Sequence, residues 1–257
     1  MLLAIDSGNT HTTVGCVGED GCVLSSFRIP TDRTDTDYGY AVKIKQILLL
    51  QEIDLTDLNG AIVSCVIPSL TETLVRAVRI VTGEEALVVG AGIKTGLHLC
   101  INDPGTVASD LVAAAVAAKE EYPLPCIVID MGTATTFTVV DAKGRYVGGA
   151  ILPGVELSLN ALSSGTALLP NVEITAPKSP IGTNTVDCMR AGIVYGAAGA
   201  VDGLLDRILE ALDAPRVSIV ATGGMSATLC PQCRHEMILD PTLLLKGLGV
   251  IWKKNQK

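Results

Sequence analysis

Two distant segments of this chain follow one plan, and that repetition constrains the fold more than any other feature. Near the N-terminus, LLAIDSGNTHTTVGCVGEDGCVLSSFRI sets Asp6, Gly8 and Thr10 just after an apolar run. Past mid-chain, CIVIDMGTATTFTVVDAKGRYVGGAIL sets Asp130, Gly132 and Thr135 just after another. Each reads as an apolar strand, an acidic-glycine-hydroxyl turn, a Thr/Val-rich strand, a glycine turn and a third strand. Asp-Gly turns are common, so one alone says little. Two in matching contexts predict a pair of related lobes facing one cleft. Such strand ends suit nucleotides, because glycine lets backbone N–H groups approach a phosphate and a nearby Asp can hold Mg2+ through water.

The rest of the chain alternates strands and helices. Strands are expected near 2–6, 11–17, 22–28, 61–66, 86–89, 97–101, 125–130, 134–140, 145–151 and 216–221. A helix near 36–50 carries Val42, Ile44, Ile47 and Leu48 at helical spacing. Pro68 opens another, to about 81. The helix near 109–120 begins at Ser109 and Asp110, a favourable N-terminal pair. Further helices are expected near 154–164, 185–212 and 241–253, the second broken around Gly192, Gly196 and Gly199. The three-strand meanders distinguish this α/β plan from a plain doubly wound sheet.

Composition narrows the function. The 257 residues are 48% hydrophobic, ample for a core, and carry a net charge of −8, which argues against sequence-independent nucleic-acid binding. No apolar run is long enough for a membrane span, and Asp6 interrupts the first apolar stretch with no basic region before it, so a cytoplasmic protein is expected. Eight cysteines in such a chain do not make a disulfide framework. Cys16, Cys65, Cys100 and Cys126 read as small core residues. Cys230, Cys233 and His235 in CPQCRH could start a zinc site, but a second cysteine pair at suitable spacing is missing, and no essential metal is expected there. There is no P-loop, no G-x-G-x-x-G after a strand, no H-E-x-x-H and no G-x-S-x-G. Acidic residues remain as the chemical groups.

Several short motifs occur in a telling order: DSGNT (6–10), VSCVIP (63–68), IDMGTATTF (129–137), GGAILPG (148–154), TALLP (166–170), IGTNT (181–185), ATGG (221–224) and DPTLLLKGLGVIW (240–252). Together they resemble the type III pantothenate kinases of the acetate kinase/Hsp70/actin superfamily, over nearly the whole chain. The resemblance implies two RNase H-like lobes, 1–108 and 109–257, and ATP-dependent phosphorylation of pantothenate to 4'-phosphopantothenate, the first step of coenzyme A biosynthesis. It implies ATP, Mg2+ and a monovalent cation (K+ or NH4+), and a homodimer joined through the glycine-rich helix near 185–200. Asp6, Gly8, Asn9 and Thr10 would form a first phosphate loop, with Asp6 near Mg2+. Asp130, Gly132 and Thr133 would form a second, near the monovalent cation. Gly223 and Gly224 would lie beside the adenosine, although the pair also suits a tight strand-to-helix turn. Thr185 would reach a partner's substrate pocket, although it also suits a helix cap. Asp110 would act as general base, kept ionised by the helix dipole.

One motif departs from the family pattern. Members usually read Gly-x-Asp-Arg where this chain reads Ala108-Ser109-Asp110-Leu111, and a tyrosine usual upstream aligns with Ile101. An isobutyl group cannot replace a guanidinium that pairs with a substrate carboxylate. Two alternatives therefore stand beside pantothenate phosphorylation: a kinase of the same fold acting on a less anionic hydroxyl compound, and an inactive nucleotide-binding regulator. If pantothenate is the acceptor, Arg190 and Lys178 are the first residues to consider for its carboxylate.

Overall fold

The structure, a computed structural model, describes residues 1–256. In chain order its strands are β1 (Leu2–Ser7), β2 (His11–Val17), β3 (Val23–Pro30), β4 (Ala61–Cys65), β5 (Ala86–Val88), β6 (His98–Leu99), β7 (Cys126–Met131), β8 (Ala134–Val140), β9 (Arg145–Pro153), β10 (Ser218–Thr222) and β11 (Ile238–Leu239). The α-helices are α1 (Asp37–Leu50), α2 (Pro68–Thr82), α3 (Ser109–Glu121), α4 (Val155–Gly165), α5 (Thr185–Leu212), α6 (Ser226–Leu229) and α7 (Leu243–Asn255). Among the described residues no helix is long and apolar enough to cross a membrane.

The chain divides into two compact units, one made of Met1–Glu120 with the segment from Thr242, the other of Glu121–Pro241. In the first unit the sheet order is β3-β2-β1-β4-β5, with β1, β2 and β3 antiparallel and β1, β4 and β5 parallel. The second unit repeats it as β9-β8-β7-β10-β11, with the same directions. Both are RNase H-like sheets, the fold of the acetate kinase/Hsp70/actin superfamily. The correspondence extends to single residues. β1 and β7 share one pattern of buried and half-buried positions, as do β2 and β8. Each meander also has an irregularity at the same place, at Cys16/Val17 and at Val139/Val140. The turn lengths differ by one residue: Ser7 pairs with Thr12 across the first, Met131 with Thr135 across the second.

Strand alternation distributes the first core over both sheet faces. Leu3, Ile5, Ala61 and Val63 pack with Ile44 and Leu48 of α1 and Leu70 and Leu74 of α2. Leu2, Ala4 and Ile62 pack on the other face with Ala113 and Val116 of α3 and Leu245, Leu248 and Ile251 of α7. In the second unit, Ile127, Ile129 and Met131 of β7 meet Val155 of α4 and Val194, Val201 and Leu205 of α5.

Several expectations need correction. The boundary does not fall at 108/109, because α3 and α7 share the open face of the first sheet. They approach so closely there that a Cβ on Gly247 would lie 2.0 Å from the Ala113 carbonyl oxygen. The helix 185–212 is one uninterrupted helix; its buried stripe, including Met189, Val194, Val201 and Leu205, outweighs the roughly 1 kcal/mol each glycine costs. The strand expected over 97–101 shrinks to His98–Leu99, and β11 was not foreseen. Cys16 and Cys126 are core residues, Cys65 is half-buried and Cys100 is exposed. Val42 faces outward, leaving Tyr40, Ala41, Ile44 and Leu48 as the buried stripe of α1.

Candidate active site

In the first unit, Asp6 is the penultimate residue of β1, and β4 runs parallel beside it with Ser64 in register. Ser64 is fully buried in an otherwise apolar strand. Its Oγ donates to Oδ1 of Asp6 at 2.7 Å and is hydrogen-bonded to Oγ of Ser109 at 2.9 Å. A chain of polar contacts thus runs from Asp6 at the end of β1 to the first residue of α3. Buried polar groups are costly unless paired, so this chain fixes the Asp6 carboxylate.

Asp110 follows directly on α3 and is half-buried. The Leu111 N–H donates to its Oδ1 at 2.8 Å. Burial raises the Asp110 pKa above the ordinary carboxylate value, and the backbone N–H groups of Leu111 and Asp110 only partly oppose that rise. Desolvation of the carboxyl thus outweighs the N-terminal donors of α3. Ala108 and Leu111 on either side are also half-buried. Between Lys94 and Lys119 the chain has no Lys or Arg, and Lys119 is occupied by the Gly96 carbonyl at 2.6 Å.

The turn after β1 is braced from below. Gly8 N–H donates to the His11 carbonyl at 2.9 Å, so this amide is used within the turn, while Asn9 and Thr10 are exposed. Ser7 and Thr12, both fully buried, are joined at 2.8 Å, and Thr12 meets Thr31 at 2.9 Å. Thr31 then donates through Oγ1 to the Gly8 carbonyl and through its N–H to the Thr10 carbonyl, each at 2.9 Å. Arg33 donates from Nη2 to Oδ1 of Asn9 at 2.9 Å.

In the second unit, Asp130 occupies the place of Asp6, paired with Thr136 on β8 and Thr222 on β10. Gly132 N–H donates to the Ala134 carbonyl at 3.0 Å, the counterpart of the Gly8 bond. Two glycines lie against this turn. Gly154 N–H donates to the Thr133 carbonyl at 3.0 Å, and a Cβ on Gly154 would lie 2.2 Å from the Gly132 carbonyl oxygen. Gly223, at φ +90°, lies over β7, where a Cβ would come within 2.3 Å of Asp130 Oδ1. Asp130, Gly132, Thr133 and Gly223 are therefore assembled in one place, with Gly224 next in the chain. Gly223-Gly224 forms a tight strand-to-helix turn between β10 and α6, and Gly223 lies beside Asp130.

Thr185 is exposed at the first turn of α5, but the cap is Asn184, whose side chain accepts from the Asp187 N–H at 2.9 Å. Arg190 donates through Nε to the Glu173 carbonyl, and Lys178 is exposed. Cys230, Cys233 and His235 do not converge: Cys230 meets Met237, Cys233 the Leu229 carbonyl, and His235 pairs with Asp206 at 2.8 Å. Burial raises the two thiols to about 11 and about 12, respectively. Among the described residues no group of three or more His, Cys, Asp or Glu side chains is placed to hold a metal. Sequence reasoning missed Ser64, Ser109, Arg33 and Gly154 as members of these clusters. A serine inside the apolar run Ala61–Cys65 was the one available signal.

The pattern of the family described as type III pantothenate kinase matches residues 2–207 of this chain. The type III pantothenate kinase of Moorella thermoacetica is 38% identical over 256 residues, covering 99% of this chain and 100% of that protein. That of Bacillus cytotoxicus is 40% identical over 256 residues, covering 99% and 97%. Among solved structures, the activator of the 2-hydroxyisocaproyl-CoA dehydratase from Clostridium difficile, with bound ADPNP, superposes with a TM-score of 0.58 at 12% identity, covering 100% of this chain and 98% of that one. The (R)-2-hydroxyglutaryl-CoA dehydratase component A of Acidaminococcus fermentans gives 0.58 at 17% identity, covering 98% of each. At those identities the likeness concerns the fold alone.

Proposed function

We propose, from the premise that this chain belongs to the type III pantothenate kinase family, that it is an ATP-dependent phosphotransferase converting pantothenate to 4'-phosphopantothenate for coenzyme A synthesis. The observation that carries this reading is the chain Asp6–Ser64–Ser109, which ends one residue from Asp110. It links a candidate phosphate-loop acid, through the buried Ser64 hydroxyl and the half-buried Ser109 hydroxyl, to the residue next to a candidate base. Phosphoryl transfer depends on positioning and charge neutralisation more than on covalent chemistry. Asp110 suits the task of taking the acceptor hydroxyl's proton, because a carboxylate with a raised pKa is a stronger base.

The turn at Gly8, Asn9 and Thr10 in the first unit and the turn at Gly132 and Thr133 in the second are each read as phosphate-binding, and Gly223 and Gly224 as adenosine-binding. In the second unit, Asp130 would lie near a monovalent cation. The donor set of the first unit fits Mg2+: Asp6, with its carboxylate oriented by Ser64, would hold the ion through water. The metal would supply charge neutralisation on the phosphates. Homodimerisation would use α5, whose Gly192, Gly196 and Gly199 have nothing within 4 Å of where a Cβ would lie, and would bring Thr185 to a partner's pocket. A reaction that consumes ATP and makes a coenzyme A precursor would take place in the cytoplasm.

One observation favours a second reading. Leu111 beside Asp110, with no Lys or Arg between positions 94 and 119, leaves this segment without a cation for a carboxylate. A less anionic hydroxyl compound would then be the acceptor. Measuring ADP release with pantothenate and with neutral alcohols of similar shape separates the two. Micromolar KM for pantothenate supports the first, and turnover confined to neutral alcohols supports the second. Nucleotide binding without turnover of either would leave a regulator.

A further inference from the structure

Arg33 belongs to no motif used above, yet it is the cation docked on the turn after β1. Its guanidinium donates from Nη2 to Oδ1 of Asn9 at 2.9 Å and is exposed. The segment that carries it is rigidly held. Asp32 N–H donates to the hydroxyl of fully buried Tyr40 at 2.8 Å, and that hydroxyl donates back to the Asp32 carbonyl at 3.0 Å. Thr31, two residues before Arg33, bonds Gly8 and Thr10 as described. The arginine and the turn are thus one mechanical piece.

The neighbouring acids are engaged elsewhere. Asp32 accepts from the N–H and hydroxyl of Thr34 at 2.9 and 2.7 Å, and Asp35 pairs with Lys43 at 2.7 Å. Arg33 is left with a neutral amide as partner. An arginine buttressing a fold usually meets a carboxylate or several carbonyls. One held by a single neutral acceptor on an exposed turn keeps most of its five donors for an incoming anion, and its planar fork matches two phosphate oxygens.

We propose that Arg33 is a phosphate-binding residue of the nucleotide site, which grips the terminal phosphate of the bound nucleoside triphosphate while Asn9 fixes its orientation. This rests on the reading of Gly8–Thr10 as a phosphate loop. Arg33 supplies positive charge at the turn through Asn9, and the charge is needed most as the terminal phosphoryl group leaves.

The test is calorimetric binding of MgATP and MgADP to the full-length wild-type protein, R33K and R33Q, with thermal unfolding of each. R33Q should weaken MgATP about 10- to 100-fold, the range for one hydrogen-bonded charged group, while changing MgADP less than about threefold. R33K, which keeps the charge without the fork, should fall between, and the unfolding midpoint should not move. Unchanged MgATP affinity in R33Q, or equal loss of MgATP and MgADP, would overturn the proposal while leaving the phosphate-loop reading intact. A wild-type protein that binds neither nucleotide would overturn both.

Discussion

Replacing Gly223 by alanine should strongly destabilise the second unit, because this position combines a left-handed backbone with close packing. Gly223 has φ +90°, and its Cβ would lie 2.3 Å from Asp130 Oδ1, 2.6 Å from the Met131 nitrogen and 2.7 Å from the Met131 carbonyl carbon. A residue with a side chain pays roughly 1–2 kcal/mol for left-handed backbone. Overpacking adds about 1–3 kcal/mol when the neighbours cannot yield. Here they cannot yield easily, because Met131 is bonded into β7 between β8 and β10, and Met225 N–H closes on the Met131 carbonyl at 3.0 Å. The expected loss is therefore about 2–5 kcal/mol. Urea denaturation at constant m-value reads it as a fall in midpoint. Displacement of the Asp130 carboxylate should weaken MgATP binding in the fraction that remains folded. Gly165→Ala is the control, since a Cβ there meets nothing within 4 Å, and it should change stability by less than about 1 kcal/mol. A Gly223→Ala midpoint as close to wild type as that of the control would refute the reasoning.

Asp110→Asn should cut turnover about 10²- to 10⁴-fold yet raise stability at neutral pH. The folded pKa lies above the unfolded one, so stability is lost as pH rises from the ordinary carboxylate value through the raised one, and the ionised acid is a net cost above both. The advantage of the variant in thermal midpoint should vanish in acid, and a less stable variant at pH 7 would contradict this. For the acceptor pocket, Ala108→Gly with Leu111→Arg should lower the pantothenate KM by about 30-fold or more, the worth of one charged partner to a carboxylate. The KM for MgATP should hold. An unchanged pantothenate KM would direct attention to Arg190 and Lys178. Gly196→Leu should convert a dimer to monomer in light scattering at micromolar concentration, and a wild-type monomer would remove α5 as an interface.

The duplicated meander was legible because it is written in local terms: alternating burial, a glycine after an acid, and hydroxyl-rich second strands. Those patterns locate Asp6 and Asp130 at equivalent strand ends without any knowledge of packing. The unit boundary was not legible. Ala113 of α3 and Gly247 of α7 meet backbone to backbone, and an alanine-rich helix gives no sign of which sheet it will cover. The same limit hid Arg33. It lies 24 residues from Asn9, and what unites them is the β2–β3 register, which pairs His11 with Pro30 and so returns Thr31 to the turn that His11 leaves. Register is a property of two strands together, fixed by the burial of alternating side chains. A one-residue slip would put Ile29 outside and send the Thr12–Thr31 hydroxyl pair to opposite faces. The threonines that pin the register are thus the ones that bring a cation to the phosphate turn, so whatever stabilises this hairpin also presets the charge of the candidate site.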